Sequence, residues 1–240
     1  MVICCLLIAC GDRSQQTAKE PTSGTTPPPP LRTKVMKSAD QKALAPDQII
    51  QDLQKGNLHY QHDQRTPMDD TAMIHDATGG QYPEAFVLAC MDSRVPVEEI
   101  FDKGIGDLFV GRVAGNIIDE DVLGSMEYGC RIAGAKLIVV LGHESCGAIK
   151  AAIEKEELGN VTALLKRLKP AIKAAESVPG THNTENPEYV KTVVQENIRN
   201  SIEDIMLKSP VLKDMVVKGE IKIIGAYYSL HTGEVTFLNQ

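Results

Sequence analysis

No stretch of about 18 consecutive apolar residues occurs, so no helix can be expected to span a bilayer. No basic stripe occurs either. Formal net charge is −7 over 240 residues, which argues against a nucleic-acid partner. Aromatic residues make up only 4% of the chain and tryptophan is absent. The six cysteines, Cys4, Cys5, Cys10, Cys90, Cys130 and Cys146, show no even spacing, so they do not form a disulfide framework. No C-x-x-C motif is present, which removes the simplest thiol redox reading. Internal repeats are also missing. What is there, 42% hydrophobic and 24% charged residues, is ordinary for a globular domain with a real core.

The first ten residues, MVICCLLIAC, form a short apolar run ending in Ala9-Cys10. They are similar to a bacterial lipoprotein signal, in which such a cysteine carries lipid. No Lys or Arg precedes Arg13, although a secretory signal normally opens with positive charge. Residues 11–45 are rich in Ser, Thr, Gln, Lys and Pro, including Pro27 to Pro30, and are expected to be an extended tether. On this reading residues 1–10 are a signal, Cys10 is lipidated and the protein sits on the periplasmic side of a bacterial envelope. Membrane contact is then through the lipid alone. If the signal reading fails, a cytoplasmic location is expected.

Residues 46–240 read as one domain. A helix is expected from Pro46, with Ile49, Ile50, Leu53 and Leu58 at roughly helical spacing. The short, continuously apolar run Ala85–Cys90 reads as a strand buried on both faces, and Leu108–Val110, Leu137–Leu141 and Ile221–Tyr228 read as further strands. Helical stretches lie at about 119–133, 146–157 and, as a pair, 187–218. Strands alternating with helices predict an α/β fold with a central, mainly parallel sheet flanked by helices. Function in such sheets gathers at the carboxyl ends of the strands. Cys90 ends the first strand and His143 follows the third, 53 residues later.

The segment His143-Glu144-Ser145-Cys146 offers an imidazole and a thiol at the start of a helix, where a thiolate is favoured. With Cys90 it makes a two-thiolate, one-imidazole set, which suits one tetrahedral Zn²⁺ per subunit. Three protein ligands leave one position open, as in catalytic zinc sites. In Cys90-Met91-Asp92-Ser93-Arg94 a carboxylate and a guanidinium stand beside the first ligand. Asp92 is placed to accept a hydrogen bond from water in the open position, and Arg94 to hold Asp92.

Cys90–Arg94 together with Gly142–Gly147 resembles the signature of β-class carbonic anhydrases. Gly106 to Asn116, Glu127-Tyr128 and Gly225 to Val235 are similar to further segments of that family, so the resemblance covers the chain from about Pro46 onward. Met91, Val113 and Gly129-Cys130 depart from its usual pattern. The resemblance implies zinc-dependent, reversible hydration of carbon dioxide to bicarbonate. Metal coordination lowers the pKa of water from about 15.7 toward 7, and the hydroxide formed attacks CO2. It further implies a pocket built at a dimer interface, hence a homodimer or larger assembly. Gln81, Phe109 and Tyr128 match the pocket positions: the Gln81 amide would donate to a substrate oxygen, and the two rings would form an apolar wall. Asp92 is a possible fourth zinc ligand in a closed state. Val87 stands where bicarbonate-inhibited members carry tryptophan, so the open state is expected at neutral pH. Other readings on the same residues are a CS2 or COS hydrolase, a non-catalytic zinc-binding protein and a redox protein using Cys90 and Cys146. The five other histidines, His59, His62, His75, His182 and His231, are candidate proton shuttles by residue type alone.

Overall fold

The computed structural model describes residues 30–238. The signal at 1–10, with Cys10, and most of the tether lie outside the described residues. The end of the tether does not. Helix α1 (Ser38–Ala43) lies within the expected tether, Val35 is buried, and Arg32 pairs through both Nη atoms with the buried Asp107 carboxylate. The folded domain therefore begins near Arg32, earlier than residue 46. The correction has a physical cause: a polar segment adds to a core when its charges find partners and its few apolar groups find cover. Gln41 does the same by donating to the Pro83 and Ala133 carbonyls.

After α1 the chain forms α2 (Pro46–Gln61), α3 (Asp70–Ala77), β1 (Ala85–Ala89), α4 (Val97–Ile100) and β2 (Leu108–Arg112). It continues through α5 (Glu120–Glu127), a π-helical turn over Tyr128–Ile132, β3 (Leu137–His143), α6 (Gly147–Ile153), α7 (Gly159–Lys166) and α8 (Lys169–Ala174). The long α9 (Pro187–Lys208), α10 (Pro210–Val217), β4 (Lys222–Tyr228) and β5 (Val235–Leu238) complete it. Strand order is β2-β1-β3-β4-β5. The first four strands are parallel and β5 is antiparallel on β4.

Period-two alternation divides the core between the two faces of the sheet. Phe86, Leu88, Ile138, Val140 and Ile223 pack with α9, α10 and the 5–8 helices. Ala85, Val87, Leu137, Val139 and Leu141 pack with Ile49 and Leu53 of α2 and Ile100 of α4. Leu58, at helical spacing in sequence, instead lies exposed on the far side of α2. Gly56 in α2 is required by contact: a Cβ there would come within 1.9 Å of the Phe101 carbonyl oxygen. That close approach outweighs the roughly 1 kcal/mol that glycine costs within a helix.

The strand order also creates the site. From β1 the chain leaves toward β2 on one side, and from β3 toward β4 on the other. The gap between the carboxyl ends of β1 and β3 is therefore the topological switch point, where open α/β sheets bind ligands. Register sets Ala89 opposite Leu141, so Cys90 and His143 emerge together at that end.

Candidate metal centre

Among the described residues, the ligand atoms of Cys90, His143 and Cys146 lie within 4.8 Å of one another, and all three residues are buried. Cys90 follows β1 and His143 is the last residue of β3. Cys146 caps α6, reached through Ser145 in the left-handed region at φ 52°. That strained turn lets the imidazole and the thiol converge although one belongs to a strand and the other to a helix end. The two sulfurs are 3.9 Å apart. Sulfurs about 2.3 Å from a tetrahedral zinc lie about 3.8 Å apart, so the spacing fits that ion.

The imidazole shows the same fit. His143 Nδ1 is 2.8 Å from the Glu144 carbonyl and donates to it, which leaves Nε2 with the lone pair. Nε2 is fully buried and has no hydrogen-bond partner. A buried unpaired nitrogen is costly and calls for an explanation, and a metal ion between it and the two sulfurs supplies one.

The sulfurs titrate as a pair. A hydrogen bond from Cys146, with further ones from the Gly115 and Asp92 backbone N–H groups, holds the Cys90 thiol well below its ordinary value despite burial. The Cys146 thiol is pushed up, first by its hydrogen bond to Cys90 and then by burial. Thus Cys90 holds the first thiolate. Backbone N–H groups of Ala148 and Ile149 pull Cys146 down, yet they do not overcome the neighbouring anion.

Beside this cluster, Arg94 Nε and Nη2 donate to the two Asp92 carboxylate oxygens at 2.9 and 2.7 Å, and the Arg94 backbone N–H adds a third bond at 3.0 Å. The Arg94 guanidinium holds the Asp92 carboxyl well below the usual carboxylate range. Asp92 Oδ2 lies 3.8 Å from His143 Nε2, so the carboxylate borders the place a fourth ligand would take.

Three contributors were not among the expected site residues, although Arg112 and Gly115 lie in the Gly106–Asn116 segment that resembles the family. Arg112, the last residue of β2, donates to the Cys90 and Asp92 carbonyls and fixes the loop between them. Gly115, at φ 69°, donates its N–H to Cys90 Sγ at 3.3 Å. Asn197 on α9 in turn holds the Gly115 carbonyl at 2.8 Å.

The pocket residues are not brought to this centre. Gln81 is exposed, four residues before β1 and therefore at the opposite end of the strand from Cys90. Phe109 and Tyr128 share a separate surface pocket with Phe86, Glu120 and Ser125. Phe109 packs against Phe86, and Tyr128 is 48% exposed. Within one chain Gln81 stands at the far end of β1 from the metal centre, because that strand lies between it and Cys90.

The family model for carbonic anhydrase matches residues 85–235. Carbonic anhydrase 2 of Mycobacterium tuberculosis is 35% identical over 64% of this chain and 73% of its own length. The carbonic anhydrase of Mycolicibacterium smegmatis is 35% identical over 66% of this chain and 76% of its own. Among solved structures, a tetrameric β-carbonic anhydrase of Sordaria macrospora superposes with a TM-score of 0.64 at 22% identity, covering 81% of this chain and 98% of that one. The β-carbonic anhydrase CcaA gives 0.63 at 26% identity, covering 80% and 94%.

Proposed function

Because the chain belongs to the carbonic anhydrase family, in its β class, and is a carbonate dehydratase, we propose that it works as a zinc enzyme with Cys90 Sγ, His143 Nε2 and Cys146 Sγ as ligands. The observation that carries this reading is the buried, unpartnered His143 Nε2 beside two sulfurs 3.9 Å apart. When bound, zinc supplies a Lewis acid that makes water nucleophilic near neutral pH. The chain's own residues do the rest. Asp92 accepts a hydrogen bond from the attacking water and turns a lone pair toward the CO2 carbon. Arg94 occupies both Asp92 oxygens and would keep the carboxylate from becoming a metal ligand itself. Arg112 and Gly115 fix Cys90 by its carbonyl and its sulfur. Bicarbonate and a proton leave.

The CO2 pocket is completed in this reading by a second copy, whose Gln81, Phe109 and Tyr128 reach the neighbouring centre. Gln81 and Tyr128 are exposed in a single chain, and the partly buried Phe109 lines the same surface pocket as Tyr128, which leaves them available for that role. Stopped-flow hydration and metal analysis of the full chain test the reading together. About one zinc per subunit, activity in a dimer or larger species and loss of activity with a chelator are expected. An active zinc-free protein would refute the metal, and an active monomer the shared pocket.

We also propose that Cys10 carries lipid and tethers the enzyme at a bacterial envelope. Globomycin is then expected to accumulate an unprocessed precursor. A fully soluble, unlipidated mature form would overturn this.

A further inference from the structure

Each bicarbonate formed leaves a proton that must reach a base in solution, and a positioned imidazole is the side chain best suited to pass it on near neutral pH. Three of the five histidines outside the centre each have one ring nitrogen engaged by a partner that does not touch the centre. His59 is paired with Asp102, His62 with the Leu58 carbonyl and His182 with the Val178 carbonyl. His75 lies in α3, on a stretch that precedes β1. His231 is different. With Arg94, Glu144, Ser145, Tyr228 and Leu230 it lines a cleft of about 420 Å³.

The two walls of that cleft connect to the metal centre. On one wall, Arg94 clamps Asp92. On the other, Glu144 directly follows the ligand His143 and holds the turn between β4 and β5. Its Oε2 accepts from Ser229 Oγ at 3.0 Å, the Leu230 N–H at 3.0 Å and the His231 N–H at 3.3 Å. Its Oε1 lies 2.8 Å from His231 Nδ1. The His231 side chain remains 80% exposed. An exposed imidazole is thus held by a fixed carboxylate at the rim of a cleft with room for on the order of ten waters. With Nδ1–H committed to Glu144, Nε2 carries the lone pair.

We propose that His231 relays the proton of hydration from this cleft to solvent, with Glu144 as its positioning residue. This rests on the hydration reading above. An O–H bond of the attacking water breaks and its electron pair stays on oxygen. The proton passes along waters in the cleft to His231 Nε2, where a new N–H bond forms. The imidazolium, steadied by the Glu144 carboxylate, then gives that proton to a buffer base and returns to neutral. Arg94, Tyr228 and Glu144 are the charged or titratable groups that share the cleft with the ring.

The test is stopped-flow CO2 hydration by the zinc-loaded full chain at low and high buffer concentration. His231→Ala is expected to lower kcat at low buffer by roughly ten- to a hundredfold, up to the lower end of what positioned proton transfer contributes. Its kcat/KM should stay within about twofold, because CO2 conversion precedes the relay. Added imidazole should restore kcat. Glu144→Gln keeps an acceptor for the turn but weakens its hold on the ring, so it should lower kcat at low buffer in part, with kcat/KM unchanged and rescue by imidazole. His62→Ala should behave as wild type. Unchanged kcat in His231→Ala at low buffer, or kcat and kcat/KM falling together without rescue, would overturn the relay. A wild-type chain inactive at every buffer concentration would overturn the hydration reading itself, and the relay with it.

Discussion

His143→Ala is expected to purify without zinc and to hydrate CO2 at least about a thousandfold more slowly than wild type, as read by metal analysis and stopped flow. The size follows from the several kcal/mol that a Lewis acid contributes, at 1.36 kcal/mol per decade of rate. The residue follows from the geometry. Nδ1 is engaged by the Glu144 carbonyl, so Nε2 is the nitrogen available to a metal, and it is buried with no other partner. Removing it leaves two sulfurs 3.9 Å apart, of which Cys146 has its thiol pushed up by the Cys90 anion. Two sulfurs alone hold a divalent ion far less well than two sulfurs and an imidazole together. The fold should survive, because the neighbouring core of β1 and β3 is buried on both faces without this ring. Chelated wild type is the matched control: it should be as slow as His143→Ala. Stoichiometric zinc with a near wild-type rate in the variant would remove His143 from the ligand set.

Cys90, His143 and Cys146 were legible in sequence for one reason. Cys90 and His143 sit where apolar runs stop and polar residues begin, a parallel sheet aligns such ends, and Cys146 stands three residues on at a helix start. The runs at 85–90 and 137–141 announce β1 and β3 because strands buried on both faces need no alternation. The supporting contacts were not legible, because they join positions far apart. Gly115 reaches Cys90 across 25 residues, and Asn197 reaches Gly115 across 82. Both use polar side-chain or backbone groups that have no periodic pattern. The arm around Arg32 reads as tether for the same reason, since its anchor Asp107 is 75 residues away. Gln81 shows the converse limit. Its spacing from Cys90 is visible in sequence, but a strand between them sets the two at opposite ends of the sheet, so spacing alone does not tell which subunit's centre it serves.

Asp92→Asn is expected to keep its zinc and lose about a hundredfold in kcat, the lower end of what a positioned proton acceptor contributes. The amide keeps one acceptor oxygen but neither the charge nor both arms of the Arg94 clamp. Arg94→Ala should fail differently. In wild type the guanidinium is the main reason the Asp92 carboxyl lies below the usual range, so Asp92 stays ionised across any assay near neutrality and does not set the acid limb of activity. Without Arg94 that pKa rises back toward the ordinary value of about 3.9. The carboxylate is then still charged at pH 7, but nothing tethers it, and it stands 3.8 Å from His143 Nε2. It is free to close the fourth position. Were the freed carboxylate to bind the metal, hydroxide at higher pH would compete with it, so Arg94→Ala should regain part of its rate on the alkaline side, whereas Asp92→Asn should not. The double variant separates the roles. If Arg94 acts only through Asp92, Asp92→Asn with Arg94→Ala should be no slower than Asp92→Asn alone, a non-additivity expected of residues in one network. Losses that multiply would give Arg94 a contact of its own with the reacting atoms.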